Sequence, residues 1–199
     1  MRAAQDNSLP PLIWRVLGLS AVGLLVATVL GIGLISAGVF DPRPIGSLQR
    51  EISPGGRIIS TPGPQVEWLD QPLPEAPFTV RLEAAHEAGE ADAGYGLAIG
   101  GPQEFLAVGV SPLGYVTLWE EQGGQKSVHL PWQIWPHVRP GSESNEIWVD
   151  VQDGQATVRL NRELLWEGTW DGGAGGVGLY VETFGGDVTV EFVELVIFH

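Results

Sequence analysis

The sequence predicts an all-β antiparallel sandwich preceded by one transmembrane α-helix. Three observations support this prediction. Residues 16–40 form a run of 25 positions without a charged side chain. Beyond residue 65, apolar and polar side chains alternate with a period of two, as in strands that bury one face. Glycine-rich turn signals separate the alternating segments at short intervals, which is typical of antiparallel sandwiches and barrels.

The apolar run at residues 16–40 is long enough to cross a bilayer. At about 1.5 Å of rise per residue it reaches roughly 37 Å, and a hydrocarbon core is about 30 Å thick. A cleaved secretory signal is the alternative, because Arg2 and Arg15 form a basic start and Ser36-Ala37-Gly38 has small residues. The apolar stretch of such a signal is only about 7–15 residues long. We therefore expect an uncleaved anchor that contacts membrane lipid.

The orientation of this anchor is predicted from its basic flanks, because arginine and lysine prefer the cytoplasmic side. Two arginines and the free amine precede the run, and three arginines follow it closely, so the flanks are nearly balanced. Arg15 adjoins the run, and the N-terminal tail, residues 1–15, is short. We expect a single-pass protein of the cell membrane with a cytoplasmic N terminus and an extracytoplasmic C-terminal domain.

Residues 41–65 are rich in proline and glycine, with five prolines and four glycines. Proline breaks helices and stiffens the chain, whereas glycine loosens it. We therefore expect a semi-extended linker at 41–65. The sandwich domain is then predicted at residues 66–199.

The charge of the chain is concentrated in the C-terminal part. Residues 60–199 contain 21 Asp and Glu but only 5 Lys and Arg. Such an acidic domain argues against a nucleic-acid partner, whose phosphates require basic residues. The chain has no cysteine, and its four histidines do not pair at a metal-ligand spacing. We therefore predict no disulfide, no thiolate chemistry, no metal site and no cofactor.

Alternation predicts the strands individually. It is clearest at 78–84, 146–151 and 155–160, where no position breaks the pattern. Seven further strands are predicted, at 95–99, 104–110, 114–119, 126–130, 164–170, 176–182 and 187–198. The last of these changes parity near Phe192-Val193, which predicts a β-bulge.

Six short motifs follow one another over about 100 residues. They are Gly94-Tyr95-Gly96-Leu97, Gly114-Tyr115, Asn145-Glu146-Ile147-Trp148-Val149, Val158-Arg159-Leu160-Asn161, Gly176-Val177-Gly178-Leu179 and Val190-Glu191-Phe192. In this order and spacing, residues 78–198 resemble the concanavalin A-like lectin/glucanase superfamily. More narrowly, they resemble the bacterial 3-keto-disaccharide-hydrolase-type domain, a relative of laminin-G modules. The resemblance implies a jelly-roll sandwich of two antiparallel sheets, often with one concave open face.

Two places depart from the pattern of this family. The closing strand has Val193-Glu194 after Phe192, where the family usually has Asp-Asn. The family usually has Asn-Gly in the hairpin after the Val158 strand, where this chain has Asn161-Arg162. Asn-Gly suits a two-residue turn in which both residues take positive φ. Arginine at the second place therefore predicts a longer or different turn.

The candidate ligand-binding residues are four aromatic side chains. Strand parity places Tyr115 and Trp119 on one face, and it places Trp148 and Tyr180 on faces shared with carboxylates. Flat rings on an open sheet face suit the C–H faces of sugars or a partner protein. Alternatively, the second sheet or a loop covers these rings. Four further tryptophans are interpreted as core or loop anchors: Trp132, Trp135, Trp166 and Trp170.

No catalytic constellation is evident. Glucanases of the superfamily carry E-x-D-x-E on one strand, which places three carboxylates on one face. The closest match is Glu90-Ala91-Asp92, which lacks the third carboxylate and lies in a predicted loop. We predict no catalytic residues and no enzyme.

These observations predict a membrane-anchored, non-catalytic module that recognises carbohydrate on the outer face of the cell. An accessory or scaffold subunit of a membrane protein complex is the alternative. The four-residue spacing of Gly23, Ala27 and Gly31 would let a second helix approach closely. A glycoside hydrolase is the third hypothesis, and it would require two carboxylates about 5–10 Å apart in one cleft.

Overall fold

The computed structural model describes residues 11–170, 172 and 175–199. Most of the predicted N-terminal tail, with its basic residue Arg2, lies outside these residues, as do residues 171, 173 and 174. Helix α1 spans Pro11–Ser36. The described strands are, in chain order, β1 (Leu48–Ile52), β2 (Gly55–Ile59), β3 (Gly63–Pro72), β4 (Phe78–Gly89), β5 (Ala93–Gly101), β6 (Glu104–Val110), β7 (Tyr115–Gln122), β8 (Gln125–Ile134), β9 (Asn145–Gln152), β10 (Gln155–Leu160), β11 (Glu163–Thr169), β12 (Gly176–Thr183) and β13 (Val188–Phe198).

Helix α1 is apolar enough to span a membrane. The stretch Val16–Ser36 has 21 residues and a mean hydropathy of 2.3. A signal sequence near an N terminus has the same character. The helix ends at Ser36, four residues before the predicted end of the span at residue 40. Gly38, which has a φ of 65°, explains this end. A glycine in the left-handed conformation terminates a helix, and backbone amides at the end then donate hydrogen bonds to carbonyls of the last helical turn.

The unit Arg43–His199 is a sandwich of two antiparallel sheets. The seven-stranded sheet has the order β1-β13-β4-β9-β10-β11, with β2 also paired to β13. The six-stranded sheet has the order β3-β12-β5-β6-β7-β8. The predicted fold class, an antiparallel β-sandwich after one N-terminal helix, is therefore confirmed.

The main hydrophobic core lies between the two sheets. Each strand contributes alternate side chains, such as Val80 and Leu82 of β4 and Leu97 and Ile99 of β5, all of which are fully buried. The intervening residues point away from the core because successive side chains of a strand alternate between faces. We call the face turned away from the core the outer face of each sheet.

The expectation of a linker over residues 41–65 is wrong from residue 48 onward. Strands β1 and β2 pair with successive parts of β13, and β3 pairs with β12. Pro54 and Pro62 lie between these strands, where they interrupt the sequence pattern without removing a ladder hydrogen bond. Ile52 and Ile59 also pack against the core, so the folded unit begins near Arg43 and not at residue 66.

The bulge predicted near Phe192-Val193 is present. Phe192 faces Ala84 and Glu194 faces Glu83, so Val193 has no register partner on β4. The extra residue lets Phe192 and Leu195 both point into the core. It also places Glu194 beside Glu83 on the outer face.

The longer or different turn predicted after β10 is wrong. Asn161 and Arg162 form a two-residue connection between β10 and β11, and both have positive φ, at 51° and 74°. The Asn161 side chain holds this geometry. Its Oδ1 accepts a hydrogen bond from the Glu146 amide at 2.9 Å, and its Nδ2 donates one to the His137 carbonyl at 2.7 Å. These bonds offset the unfavourable left-handed conformation of Arg162.

Candidate functional site

Small residues line part of the outer face of the six-stranded sheet, and we call this part the glycine floor. Gly94, Gly109 and Gly178 lie on this face, next to alanines of β5 and β6. A Cβ atom at Gly109 would lie 2.5 Å from Cε1 of Tyr180, and one at Gly94 would lie 2.7 Å from the ring of Trp132. Because these glycines lack a side chain, aromatic rings can lie directly on the sheet.

Four aromatic rings on this face form a chain of pairwise contacts that we call the aromatic row. Neighbouring rings meet edge to face, with centroids 5.5 Å apart for Trp68 and Phe105, 5.1 Å for Phe105 and Trp119, and 6.2 Å for Trp119 and Tyr180. The Lys126 ammonium lies 4.1 Å from the centroid of the Trp119 ring. The row is thus a second, smaller apolar cluster on the outer face.

The expectation that Trp119 and Tyr180 are open rings is wrong. Their exposed fractions are 4% and 0%. The glycine floor lets these rings lie close to the backbone of the sheet, and neighbouring rings of the aromatic row cover them. Both residues therefore support the outer face and do not present a platform on it.

Trp148 is also buried, with 4% of its surface exposed. It lies on the outer face of the seven-stranded sheet, where its Nε1 donates a hydrogen bond to Asp150 Oδ1 at 2.7 Å. Arg81 and Arg159 are its register partners on the two neighbouring strands, and their long side chains flank the indole. Parity correctly placed Trp148 on a polar face, but it could not show this cover.

Tyr115 is the one candidate of the four that is accessible, with an exposed fraction of 37%. It lines a cavity of about 330 Å³ that we call the aromatic pocket. The pocket is formed where β5 and β7 begin and where β6 and β12 end. Its lining residues are Asp92, Ala93, Ser111, Tyr115, Trp132 and Phe184.

Two aromatic rings form a corner of this pocket. The Trp132 and Phe184 rings have centroids 6.4 Å apart and an interplanar angle of 75°. Phe184 is 50% exposed and Trp132 is half-buried, so both rings present surface to a ligand. Asp92 and Ser111 add a carboxylate and a hydroxyl to the same cavity. Apolar surfaces and a few polar groups thus converge, as in small-molecule sites generally.

A buried carboxylate orients the Trp132 ring. Trp132 Nε1 donates a hydrogen bond to Glu182 Oε2 at 3.3 Å, and the Tyr180 hydroxyl donates one to the same oxygen at 2.5 Å. Burial, together with the adjacent Glu182 carboxylate, raises the pKa of Tyr180, so its hydroxyl remains a donor. Glu182 and Tyr180 therefore hold Trp132 in place over the glycine floor.

Sequence reasoning missed most of this pocket. Trp132 lies beyond the predicted strand at 126–130, whereas β8 continues to Ile134. Phe184 follows the end of β12, and no sequence pattern singles out one exposed ring after a strand. Asp92 was considered only as part of an incomplete glucanase motif.

A second cavity, of about 440 Å³, lies at the outer face of the seven-stranded sheet. We call it the polar cavity, because its lining is entirely polar or charged: Glu83, Arg139, Ser144, Glu146, Asn161 and Arg162. Glu83 and Glu146 are register partners on β4 and β9, so two carboxylates share this cavity. Within the described residues, no three His, Cys, Asp or Glu are grouped so that they could hold a metal ion.

Comparisons with known proteins bear on the fold. No family model matches the chain, and no curated protein matches it. Among solved structures, the carbohydrate-binding module CBM66 from Bacillus subtilis superposes with a TM-score of 0.55 at 13% identity, over 78% of this chain and 99% of the module. The galectin LEC-6 from Caenorhabditis elegans has a TM-score of 0.45 at 15% identity, over 75% of this chain and 96% of the galectin. The likeness to the module shows a shared β-sandwich fold.

Proposed function

We propose that this chain is a non-catalytic carbohydrate-binding module held at a membrane by helix α1, and that its glycan binds in the aromatic pocket. The observation that carries the proposal is the corner formed by Trp132 and Phe184, beside Asp92 and Ser111. The C–H faces of a sugar would pack on the rings, and its hydroxyls would bond to the carboxylate and the serine. The fold likeness to a carbohydrate-binding module supports this assignment.

The charge of the domain favours a neutral glycan. The whole chain has a formal net charge of −14, and its acidic residues lie overwhelmingly beyond residue 60. An anionic sugar would be repelled by this field and by Asp92 in the pocket. A neutral sugar can donate hydroxyl hydrogens to Asp92 without that cost.

The four aromatic residues singled out in the sequence take different parts in this proposal. Tyr115 contacts the glycan as an accessible residue of the pocket lining, whereas Tyr180 and Trp119 support the floor beneath it. Trp148, on the other sheet, takes no part in this pocket. The order of motifs over residues 78–198 further supports membership of the 3-keto-disaccharide-hydrolase-type branch, which we propose for the fold without its catalytic activity.

Helix α1 is proposed as an uncleaved anchor with a cytoplasmic N terminus. Its length and mean hydropathy of 2.3 support a membrane span. The mass of the mature chain, recovered from the membranes of a bacterial expression host, tests cleavage, because an intact anchor retains residues 16–40. External protease added to spheroplasts tests orientation, since an extracytoplasmic sandwich is accessible to it.

A glycan array tests the ligand. The full chain is purified in a polyoxyethylene detergent, because detergents with sugar head groups would compete for the pocket. Wild type, Trp132→Ala and Phe184→Ala are applied in parallel, with Leu164→Ala as a control at a similarly exposed apolar residue of β11. We expect selective binding to neutral glycans that the two pocket variants weaken and the control retains. Absence of binding to every glycan would favour the accessory or scaffold subunit.

Glycoside hydrolysis is a second candidate function, and one observation favours it. Glu83 and Glu146 are register partners that line the polar cavity together, which is the kind of carboxylate pair that a glycosidase uses. Incubation with neutral polysaccharides, followed by measurement of new reducing ends, tests this function directly. Reducing ends produced by wild type and lost in Glu146→Gln would establish hydrolysis.

A further inference from the structure

Glu146 lines the polar cavity and has one carboxylate oxygen to which no described group donates a hydrogen bond. Glu146 Oε1 is buried, and no group among the described residues donates a hydrogen bond to it. The Arg162 Nε atom lies 3.7 Å away, beyond the range of a direct hydrogen bond. Buried acceptors are nearly always satisfied in folded proteins. The Glu146 carboxylate therefore retains unused capacity to accept a hydrogen bond at the wall of the cavity.

Arg162 occupies a backbone position that favours glycine. Its φ is 74° in the two-residue turn with Asn161, whose own φ is 51°. Glycine at that place would form the same turn without steric strain, because it lacks a Cβ. Strained non-glycine residues persist where their side chains have a function. Here the side chain lines the polar cavity beside Glu146.

The Arg162 turn is held rigidly on the sandwich. Asn161 donates hydrogen bonds to the His137 carbonyl and to Asn145 Oδ1, at 2.7 and 2.9 Å. Asn145 in turn donates a hydrogen bond to the Tyr95 hydroxyl in the core at 3.0 Å and accepts one from the Arg139 amide at 2.8 Å. The network thus connects the two arginines of the cavity to the core, which pre-organises the cavity for binding.

The lining specifies the chemical class of the ligand. Two glutamates and two arginines balance in formal charge, and Ser144 and Asn161 add neutral polar groups. Vicinal hydroxyls can donate to a carboxylate and accept from a guanidinium at the same time. Since the lining has no aromatic ring, recognition there depends on hydrogen bonds. The volume of about 440 Å³ lies in the usual range of small-molecule sites, about 300–1,000 Å³.

We propose that the polar cavity is a second binding site for a neutral, multiply hydroxylated ligand of the sugar or polyol class, with Glu146 as acceptor and Arg162 as donor. This site lies on the other sheet from the aromatic pocket and shares no lining residue with it. It therefore does not depend on the function proposed for that pocket.

Isothermal titration of the full chain in polyoxyethylene detergent tests this site. The probes are glycerol, the monosaccharides glucose, galactose, mannose and fructose, and disaccharides composed of these four monosaccharides. The test uses the Trp132→Ala background, which disables the aromatic pocket. We expect at least one probe to bind, and we expect Arg162→Gly and the isosteric Glu146→Gln each to weaken that binding by tenfold or more.

Thermal unfolding of the same variants separates binding from a structural role. Arg162→Gly should unfold at the same temperature as its background or at a higher one, because the strained turn relaxes. Loss of binding without loss of stability supports the site. Absence of probe binding in the Trp132→Ala background would overturn it. So would full binding by folded Arg162→Gly, even if wild type binds glycans through the aromatic pocket.

Discussion

The Trp132 and Phe184 rings stand nearly perpendicular, at 75°, with their centroids 6.4 Å apart. They come from different parts of the chain, Trp132 from β8 and Phe184 from the segment after β12. Trp132 is oriented through Glu182, whereas Phe184 is half exposed. A rigid ring and an accessible ring therefore meet at one corner, and this corner is the basis of the proposed glycan site.

The glycine floor yields a first prediction. Gly109→Ala should lower the free energy of unfolding by about 1–3 kcal/mol, because the added methyl overpacks a site already in contact with Tyr180. Its Cβ would lie 2.5 Å from Tyr180 Cε1 and 3.2 Å from Trp132 Cη2. Displacement of Trp132 should also weaken glycan binding. Thermal unfolding of the full chain and the glycan array measure the two effects.

Gly101→Ala is the matched control for this substitution. Gly101 ends β5, and a Cβ there would meet no heavy atom within 4 Å. We expect its stability and binding to equal those of wild type. Equal behaviour of the two alanine variants would contradict the close packing of the aromatic rings on the floor.

The buried Tyr180–Glu182 pair yields a second prediction. Tyr180→Phe removes the hydrogen bond to Glu182 Oε2 at 2.5 Å. Among the described residues, Trp132 Nε1, at 3.3 Å, is then the remaining donor to this oxygen. Loss of a donor to a buried acceptor costs about 1–3 kcal/mol, or roughly 2–12 °C in melting temperature for a chain of this size. An unchanged melting temperature would show that Glu182 does not need this donor.

The same pair predicts a loss of stability in alkali. Burial and the Glu182 carboxylate raise the pKa of Tyr180 in the folded state above its ordinary value near 10. The stabilisation is complete below pH about 10 and falls as the pH rises above it, because the unfolded chain then ionises first. Unfolding in urea between pH 8 and pH 11 should show a steeper decline for wild type than for Tyr180→Phe.

The N-terminal strands yield a third prediction. A fragment that begins at residue 66, the expected domain boundary, lacks β1, β2 and the start of β3. It leaves the edge of β13 unpaired and removes Ile52 and Ile59 from the core surface. We expect this fragment to aggregate or unfold, whereas residues 43–199 should give a monodisperse folded domain. Size-exclusion chromatography and circular dichroism show whether each fragment is monodisperse and folded. A stable fragment 66–199 would contradict the requirement for β1 and β2.

An ion pair between the two sheets yields a fourth prediction. Arg57 of β2, in the seven-stranded sheet, donates two hydrogen bonds to Glu67 of β3, in the other sheet, at 2.7 and 2.9 Å. The hydrogen bonds from Arg57 lower the pKa of Glu67 below its usual value. The stabilisation is thus present above pH about 4.3 and is lost as the pH falls through the lowered folded-state pKa.

The size of this effect is small because both side chains are partly exposed, at 27% and 50%. Glu67→Gln should destabilise the chain by at most about 1 kcal/mol at pH 7 and by nothing measurable near pH 2. Urea unfolding at the two pH values provides the comparison. A difference that persists undiminished at the acidic pH would show that the charge of Glu67 is not its source.

The strands after residue 77 could be predicted because apolar and polar residues alternate along them. This alternation arises because one face of each strand is turned to the core and the other is turned away from it. Phe78 to Ala84 bury one parity in the core and present the other to the outer face, as the sequence indicated. Strands β1 and β2 could not be predicted, since each has five residues and lies beside prolines and glycines. Their stability comes from pairing with β13, which is more than 120 residues away in the chain.

The candidate site was only partly predictable for a related reason. Parity assigns a residue to a face but does not show what covers that face. Tyr115 is accessible, whereas Trp119, on the same face of the same strand, is buried among the other rings of the aromatic row. Likewise, Trp132 and Phe184 meet because β8 and β12 terminate at the same end of one sheet. That arrangement depends on the strand order, which the sequence pattern does not give.

The most direct test of the aromatic pocket as the glycan site is a comparison of three dissociation constants. They are measured for wild type, Trp132→Ala and Trp132→Phe, each as the full chain with the glycan that binds best on the array. Titration calorimetry in polyoxyethylene detergent supplies the dissociation constants. We predict that Trp132→Ala weakens binding by more than about tenfold, as removal of a central aromatic contact does, and that Trp132→Phe, which keeps a ring, weakens it less. Equal affinities for wild type and a folded Trp132→Ala would contradict the aromatic pocket as the glycan site.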